Sequence, residues 1–247
     1  MQSKRIVVVT GAAGGIGAAI VKRFLSNEDT VIAIDNRADA LKVLQESHQA
    51  SASQLIAIDG DVSREQECRR FATLIESKVG RVDVLVNCSG YYPIVPFEEM
   101  SLADWQQVIG INLTGPFLMV RSLLPLIKGR GWGRIVNVGS ASVFEGVAGQ
   151  VHYVAAKGGI VGFSRSLAME LGSHGITVNV VAPGLTKTEP VRRQMPAEMI
   201  ESQREVRAIK RDEQAEDLAG PVFFLASPDA AFMSGQILVV DGGKVKN

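Results

Sequence analysis

The chain has 247 residues, of which 46% are hydrophobic and 21% are charged, the balance of a globular protein with a large apolar core. Its 26 Lys and Arg residues equal its 26 Asp and Glu residues, so net charge gives no basis for binding nucleic acid or an anionic membrane. Its two cysteines, Cys68 and Cys88, are too few for a disulfide framework or a metal cluster, and we therefore expect no metal site.

The first apolar run of the chain, Ile6–Val9, is too short for the core of a signal peptide, and glycines follow it at once. No apolar stretch is judged long enough to span a bilayer. We therefore expect a cytoplasmic protein that makes no contact with a membrane.

Short runs of β-branched residues alternate with longer amphipathic stretches along the chain. Continuous apolarity in such runs is typical of strands that are buried on both faces. The predicted strands are Ile6–Val9, Val31–Ile34, Leu55–Ile58, Val84–Val86, Ile135–Val138, Thr177–Val181 and Ile237–Val240. The predicted helices include Ala18–Leu25, Arg64–Lys78, Ser101–Ile111, Gly159–Leu171 and Gln214–Ala226. This alternation predicts an α/β fold with a doubly wound parallel sheet of about seven strands and helices on both faces.

No repeat, low-complexity tract or linker divides the sequence, so we expect residues 1–247 to form a single domain. The segment 189–211 differs from the rest because it is rich in Met, Glu and Arg and follows a predicted strand and Pro183-Gly184. This position is the carboxyl edge of the sheet, where open α/β folds bind ligands. We predict that the segment carries one or two short helices and acts as a lid over a substrate.

The first strand leads directly into a glycine-rich turn and then into a helix. Glycines permit a tight turn and a close approach to a pyrophosphate, while the helix N-terminus supplies amides and a positive dipole. Such a turn is a weak indication by itself, but its position between a strand and a helix favours a dinucleotide site. The candidate cofactor contacts in the turn are Gly11, Gly14, Gly15, Ile16 and Gly17.

The second strand ends at Asp35, and this carboxylate favours NAD over NADP as the cofactor. An acidic residue here hydrogen-bonds the adenosine ribose hydroxyls and repels a 2′-phosphate. Arg37 keeps the use of NADP open, because a nearby arginine can accommodate that phosphate. An ordinary capping role for Asp35 after a strand is the less favoured alternative.

Further candidate cofactor contacts follow the third and fourth strands at the same edge. Asp61 and Val62 follow the third strand, and the carboxylate of Asp61 can accept a hydrogen bond from the adenine amino group. Asn87, Ser89 and Gly90 end or follow the fourth strand, where small residues let the backbone lie against a cofactor. Each of these, taken alone, is equally compatible with a simple turn.

Tyr153 and Lys157 are four residues apart, so on a helix they share one face. A phenol ordinarily ionises near pH ~10, and a nearby ammonium lowers that pKa toward the range of an acid–base catalyst. Ser140 follows the fifth strand, where its hydroxyl can hydrogen-bond a substrate oxygen. Asn112 lies in a helical region and can hold a water that links Lys157 to solvent. The alternative for the Tyr/Lys pair is an amphipathic helix with a snorkelling lysine.

Taken together, these motifs resemble those of the short-chain dehydrogenase/reductase family over essentially the full length of the chain. The motifs are Thr10-Gly11-x-x-x-Gly15-x-Gly17, Asn87-x-x-Gly90, Asn112, Ser140, Tyr153-x-x-x-Lys157, Pro183-Gly184 and Asp241-Gly242-Gly243. The resemblance implies a Rossmann-type fold and a catalytic tetrad of Asn112, Ser140, Tyr153 and Lys157. In that tetrad Tyr153 exchanges a proton with the substrate oxygen, and Lys157 binds the nicotinamide ribose. The further cofactor contacts that it implies are Pro183, Gly184, Thr186 and Thr188, with the two threonines at the position of the carboxamide.

The resemblance also favours NAD, because NADP users of the family usually carry a basic residue in the glycine turn, and this turn has none. The chain departs from the family's Asn-Asn-Ala-Gly motif, which is here Asn87-Cys88-Ser89-Gly90. Both replacements are small, so we expect the backbone path to survive, with Cys88 as a packed thiol.

The predicted substrate contacts are mostly apolar or aromatic, which favours a small secondary alcohol, ketone or aldehyde. The candidates are Ser140, Ser142, Tyr92, Phe144 and Tyr153. Residues 92–97 and 131–135 are similar to family members that act on secondary alcohols, aryl alcohols and pyridoxal. His152 adjoins Tyr153 and is expected to be a polar surface residue.

Two other functions remain open. A 3-oxoacyl-acyl-carrier-protein reductase using NADPH would need the same tetrad, although Asp35 argues against NADPH. Arg207 and five other basic residues of 192–211 could attract an acidic carrier, but interleaved glutamates favour a solvated mixed-charge helix. The remote alternative is a nucleotide-binding protein without catalysis.

The resemblance also implies a homotetramer built through the helices containing 112–126 and 153–171 and through the C-terminal strand.

Overall fold

The computed structural model of the protein describes residues 4–246, apart from the side chain of Gln194. Seven parallel strands form one sheet in the order β3-β2-β1-β4-β5-β6-β7. Their bounds are β1 (Ile6–Thr10), β2 (Thr30–Asp35), β3 (Leu55–Asp59), β4 (Val84–Asn87), β5 (Gly133–Val138), β6 (Ile176–Pro183) and β7 (Ile237–Val240). The strand order reverses between β1 and β4, so the predicted doubly wound, Rossmann-type sheet is confirmed.

Every predicted strand lies within an observed one, but several observed strands continue into a polar residue at the carboxyl end. Thr10, Asp35, Asp59 and Asn87 are the last residues of the first four strands. Because these residues are polar, a prediction of strands from apolar runs ends one residue too early. They are also the residues that reach the edge of the sheet where the site lies.

Ten α-helices occur in the described part of the chain. They are α1 (Gly15–Leu25), α2 (Ala38–Ser47), α3 (Glu65–Val79), α4 (Leu102–Ile109), α5 (Gly115–Ile127), α6 (Ser142–Glu145), α7 (Val151–Leu171), α8 (Glu189–Gln194), α9 (Ala197–Val206) and α10 (Glu216–Leu225). Two of them, α8 and α9, occupy the segment 189–211. The predicted amphipathic stretch Gly159–Leu171 is the C-terminal part of α7, which begins at Val151 and so includes Tyr153 and Lys157, as the spacing of that pair predicts.

Both faces of the sheet are covered, which follows from the alternation of side chains along each strand. In β1, Val7 and Val9 pack with α1, α2 and α10 in one core, while Ile6 and Val8 pack with α3, α5 and α7 in the other. Burying each such side chain contributes about 1.5–3 kcal/mol to folding. Two cores therefore hold the strands in register, and their carboxyl ends share one edge.

The helical run Leu102–Ile127 contradicts the expectation that no stretch is long enough to span a bilayer. It has 26 residues and a mean hydropathy of 1.3, which is sufficient by length and composition alone. A π-helical turn, Gly110–Thr114, keeps α4 and α5 continuous through a region that the sequence pattern divides. In its most apolar window, 44% is buried inside the protein. Length and hydropathy are weak evidence for a membrane span, because core helices of globular proteins meet the same criteria.

Candidate active site

The glycine turn between β1 and α1 has no room for a side chain at two of its glycines. Gly11 has φ +63°, and a Cβ there would lie 2.8 Å from Cα of Ser89. A Cβ at Gly17 would lie 2.1 Å from the carbonyl oxygen of Gly11, so neither position admits another residue without a shift. The first turn of α1, which begins at Gly15-Ile16, has no acidic side chain, and Gly14 caps it without a side chain. The free amides of this helix terminus suit a phosphate, so the turn fits a dinucleotide.

Asp35 lies directly beside this turn, as the sequence predicts. It is 5% exposed, and its Oδ2 accepts a hydrogen bond of 3.0 Å from the amide of Ala13. Arg37 donates to the same carboxylate from Nε at 3.0 Å and from Nη2 at 3.2 Å. This hydrogen bond raises the pKa of Arg37. The two residues that bear on the choice between NAD and NADP therefore form one ion pair.

Asp61 is held mainly by its own loop. Its Oδ1 accepts from the amide of Ser63 at 2.9 Å and from the Ser63 hydroxyl at 2.7 Å, and its Oδ2 lies 3.6 Å from Arg64. Val62 is 6% exposed, and its carbonyl accepts from the thiol of Cys68. These contacts order the loop after β3, and a role toward adenine stays a prediction.

The loop after β4 is tied to the glycine turn by Thr10. Its hydroxyl accepts from the amides of Cys88 at 3.1 Å and Ser89 at 3.2 Å. Asn87 donates from Nδ2 to Asn137 at 2.8 Å, and its buried Oδ1 has no partner among the described residues. This role of Thr10 was not predicted from the sequence, although a polar residue at the end of an apolar strand indicates a contact at the edge of the sheet.

Ser140, Tyr153 and Lys157 come together at the carboxyl edge of the sheet. The Ser140 hydroxyl is close enough to Tyr153 to lower the pKa of the phenol, and Ser142 donates to Ser140 at 2.8 Å. The ammonium of Lys157 lies 5.7 Å from the centre of the Tyr153 ring and donates to the carbonyl of Val138 at 2.8 Å. The early start of α7 is what brings the phenol and the ammonium to this position.

The pKa of Tyr153 contradicts the expectation that Lys157 lowers it. Burial raises the pKa of Tyr153 to about 12, and the neighbouring Ser140 hydroxyl opposes this rise. Burial also lowers the pKa of Lys157 to about 8. Removing the phenolate and the ammonium from water outweighs their mutual attraction in the protein without cofactor.

Asn112 lies on the π-helical turn and is fully buried. Its Nδ2 donates to the carbonyls of Tyr91 at 2.7 Å and Val108 at 3.0 Å, and its Oδ1 accepts from the amide of Tyr91 at 3.3 Å. A Cβ at Gly90 would lie 3.4 Å from the same oxygen. The side chain of Asn112 therefore anchors the loop after β4, and its place in the tetrad stays a prediction.

Tyr92 lies against Tyr153. Its ring meets the Tyr153 ring edge-on with 6.1 Å between centres. Burial raises the pKa of Tyr92. Phe144, in the short helix α6, is 40% exposed and makes no ring contact with Tyr153.

The loop after β6 contacts both the loop after β5 and the glycine turn. Pro183 accepts from the amide of Ala141 at 2.8 Å, which joins this loop to the one after β5. A Cβ at Gly15 would lie 2.6 Å from Cγ2 of Thr188, so Thr188 packs on the glycine turn. Thr186 donates from its hydroxyl to Glu213 at 2.7 Å.

Two side chains are buried where the sequence predicts exposure. His152 is fully buried on the inner face of α7, and its Nδ1 accepts from the amide of Tyr153 at 2.9 Å, so the expected surface position is wrong. Arg207 is 2% exposed, so it does not belong to a solvated mixed-charge helix. It lies just beyond α9 and pairs with Glu213, which the sequence analysis did not single out. No local pattern distinguishes either charge from the exposed charges around it.

The chain matches the family model described as short chain dehydrogenase over residues 5–198. It is 39% identical to an acetoacetyl-CoA reductase of Rhizobium meliloti, covering 97% of this chain and 98% of that protein. It is 35% identical to a 3-oxoacyl-acyl-carrier-protein reductase of Aquifex aeolicus, covering 97% and 96%. A solved structure, a glucose/ribitol dehydrogenase of the short-chain type from Brucella melitensis, is 31% identical and superposes with a TM-score of 0.93 over 98% of this chain and 97% of that one.

A Rossmann-type sheet with a dinucleotide cradle and a Ser/Tyr/Lys group at its edge defines a nicotinamide-dependent oxidoreductase. The chain belongs to the short-chain dehydrogenase/reductase family, and it acts on a CH–OH group or its carbonyl. Among residues 4–246, no group of three or more His, Cys, Asp or Glu side chains is arranged to hold a metal ion.

We predict that Lys157→Met changes how stability depends on pH. The ordinary lysine pKa is 10.5, against about 8 in the folded protein, so the unfolded chain binds more protons between these values. The stability of the wild type should therefore rise from about pH 8 to about pH 10.5, by up to about 3 kcal/mol. In urea unfolding, the free energy of unfolding of the variant should therefore fall relative to that of the wild type as pH rises across this range. The exposed Lys42→Met should track the wild type, and parallel curves for Lys157→Met would contradict the assignment.

Proposed function

We propose that the protein transfers a hydride between NAD(H) and a small secondary alcohol or ketone, or an aldehyde, with Tyr153 as the acid–base group. One observation carries this proposal. Ser140 and Tyr153 are neighbours at the carboxyl edge of the sheet, where the Ser140 hydroxyl lowers the pKa of Tyr153, and the Lys157 ammonium lies 5.7 Å from the centre of the same ring. A substrate oxygen at this point would meet both hydroxyl groups.

Cofactor binding is assigned to the edge of the sheet. Residues that would hold the dinucleotide are Gly11, Gly14, Gly15, Ile16, Gly17, Asp35, Arg37, Asp61, Val62, Asn87, Ser89, Gly90, Tyr153, Lys157, Pro183, Gly184, Thr186 and Thr188. When bound, the nicotinamide supplies the hydride donor or acceptor. Ser140 would hold the substrate oxygen, and Ser142, Tyr92 and Phe144 would line the pocket around it.

Proton movement would pass through the hydroxyl of Tyr153. In the direction of carbonyl reduction, the neutral phenol gives its proton to the substrate oxygen, and its high pKa in the free protein keeps it protonated beforehand. In the direction of alcohol oxidation, the phenolate must form, and the buried Lys157 ammonium favours it. The hydroxyl of Ser140 would support charge on the same oxygen in both directions.

The preference for NAD rests on the charge of Asp35. Its carboxylate is fixed against the glycine turn by the Ala13 amide, so a 2′-phosphate would have to approach it closely. Arg37 is already paired with this carboxylate, which leaves less of its charge for a phosphate. This pairing supports NAD as the main cofactor and NADP as the weaker one.

A second candidate is the reduction of a 3-oxoacyl thioester with NADPH, favoured by the names of two relatives at 35–39% identity. The chemistry at the carbonyl carbon would be the same. The cations nearest the lid do not favour an acidic carrier, because Lys187 and Arg204 are both paired with Asp212. Asp35 also argues against NADPH.

We also propose that residues 1–247 act as one domain, with 189–211 closing over the substrate, and that the protein is a cytoplasmic homotetramer. Exposed apolar side chains support assembly through the helices and the C-terminal edge: Phe117 on α5 is 43% exposed, Met169 on α7 is 86% exposed, and Phe232 before β7 is fully exposed. Two unpaired thiols suit a reducing compartment.

Light scattering should give four times the chain mass of 26.5 kDa, and a monomer would contradict the proposed homotetramer.

Tyr153→Phe should lower turnover by at least about 10²–10⁴-fold, because it removes the transferable proton and keeps the ring. NADH binding, followed by nicotinamide fluorescence, should be nearly unchanged. Tyr91→Phe is the matched control and should keep its activity, since Tyr91 is held by its backbone. Retained turnover in Tyr153→Phe would remove the mechanism.

The substrate class is tested by following the nicotinamide absorbance with small alcohols, polyols, ketones and acetoacetyl-CoA, each with NAD(H) and NADP(H). We expect turnover of small alcohols and ketones with NAD(H). Turnover confined to the thioester and NADPH would favour the second candidate. Binding of NADH without turnover of any compound would favour a non-catalytic nucleotide-binding protein.

Asp35→Ala should weaken NAD binding by on the order of tenfold, the worth of a charged hydrogen bond. The substitution should also reduce the preference for NAD over NADP. It removes the repulsion between the Asp35 carboxylate and a 2′-phosphate, and it leaves Arg37 without its ion-pair partner. The ratio of kcat/KM for the two cofactors measures this, with the exposed Asp39→Ala as control. An unchanged ratio in Asp35→Ala would refute the assignment.

A further inference from the structure

Four polar side chains are buried together beyond the carboxyl end of β6, and the proposed chemistry uses only one of them. Thr186, Arg207, Glu213 and Asp241 each expose 5% or less of their surface. Arg207 and Glu213 lie in the stretch between α9 and α10, and Asp241 follows β7 directly. Segments that are far apart in the sequence therefore converge on one buried carboxylate, that of Glu213.

Glu213 holds the loop after β6 through both its side chain and its backbone. Its Oε1 accepts from the hydroxyl of Thr186 at 2.7 Å, and its Oε2 lies 3.4 Å from Nη2 of Arg207. The backbones of Thr186 and Glu213 form an isolated parallel bridge, and the amide of Lys187 donates to the Glu213 carbonyl at 2.8 Å. The Thr186 hydroxyl therefore has a fixed hydrogen-bond partner in Glu213.

Arg207 is held mainly by carbonyl groups. Its Nη2 donates to the carbonyl of Leu185 at 2.8 Å, which is shorter than its contact with Glu213. Its Nη1 donates to the carbonyl of Arg211 at 3.3 Å. A Cβ at Gly242 would lie 3.2 Å from Cδ of Arg207, so the stem of the side chain packs against the turn after β7. Arg207 therefore keeps partners of its own if Glu213 loses its charge.

The other neighbours of the carboxylate leave Thr186 as the one side chain that donates a neutral hydrogen bond to it. Asp241 is an acceptor for the amides of Gly243 at 2.9 Å and Val245 at 2.7 Å, and it cannot donate to Glu213 while ionised. A Cβ at Gly184 would lie 2.7 Å from Oε2 of Glu213, so the glycine lets the carboxylate reach this loop.

We propose that Glu213 is a positioning residue whose ionised carboxylate turns the Thr186 hydroxyl into a hydrogen-bond acceptor toward the carboxamide of the nicotinamide. This inference rests on the proposed function, because it takes Thr186 as a contact of that group. A hydroxyl has one proton to donate and two lone pairs that accept. An ionised carboxylate only accepts, so Thr186 must give it the proton and present a lone pair to the carboxamide NH₂. A protonated Glu213 can donate instead, which frees the Thr186 proton and removes this complementarity.

The environment sets the pH at which this change occurs. Burial is the main cause that raises the pKa of Glu213 to about 7. The Thr186 hydrogen bond, the charge of Arg207 and the amide of Gly184 oppose the rise, whereas the charge of Asp241 adds to it. NADH affinity should therefore increase as pH rises through about 7 and decrease again as Lys157 loses its proton near pH 8.

The first experiment measures the Kd for NADH of the full chain by fluorescence titration from about pH 6 to about pH 8, with Glu213→Gln and Glu216→Gln as variants. The wild type should bind about two- to tenfold more tightly once Glu213 is ionised, which is the worth of one hydrogen bond. Glu213→Gln has no proton to lose, so its affinity should lack the inflection near pH 7. Glu216 is an exposed glutamate three residues away, and Glu216→Gln should follow the wild type.

The second experiment measures melting temperature without cofactor and so does not depend on activity. Glutamate ordinarily titrates at 4.5, so between about pH 4.5 and about pH 7 the folded chain binds the extra proton. Wild-type stability should fall across this range through Glu213, and the melting temperature of Glu213→Gln should rise relative to it. Glu216→Gln should again track the wild type.

The proposal is overturned if Glu213→Gln keeps the wild-type inflection in Kd, if the wild type has none, or if the difference in melting temperature is constant with pH. Failure of the proposed function is a different result, in which the wild type binds neither NADH nor NADPH at any pH.

Discussion

The buried contact between Lys157 and the end of β5 is the constraint about which the site is organised. An ammonium in the interior loses its hydration, and here the carbonyl of Val138 is its hydrogen-bond partner. This contact fixes the position of α7 along the direction of the strands. The Tyr153 hydroxyl, one helical turn earlier, is thereby held at the loop after β5, beside Ser140. Burial of the phenol and the ammonium is also why their pKa values move opposite to the simple expectation for such a pair.

The remainder of the site depends on backbone rather than on side chains. Parallel strands deliver their carboxyl ends to one edge, and polar residues at those ends, such as Thr10 and Asp35, connect neighbouring loops. The glycines of the first turn act through the absence of a Cβ, because Gly11 and Gly17 have no room for one. The cradle for a dinucleotide and the hydroxyl groups of Ser140 and Tyr153 are therefore positioned by the same sheet. This shared support explains why a single chain can hold two reactants close together.

The residues that flank the segment 189–211 show a different balance between charge and burial. Asp212 binds Lys187 and Arg204 near the surface, and these hydrogen bonds hold its pKa well below its usual range. The adjacent Glu213 is buried, and its pKa is raised to about 7. Neighbouring carboxylates in one loop thus tie the same two segments together, but only the buried one can change its charge near neutral pH. Desolvation is the cause of the difference.

The amino-acid sequence alone determined the sheet, the glycine turn, Asp35 and the Tyr153/Lys157 pair, because each is encoded by a local period, by the special freedom of glycine or by a fixed spacing. Tertiary structure decided which polar residues are buried. Arg207 and His152 have neighbours in sequence that are exposed, and only packing against distant segments removes them from water. It also decided the continuity of α4 with α5 through a π-helical turn, which places Asn112 under the loop after β4. Burial and long-range contact depend on the whole fold, so no local pattern carries them.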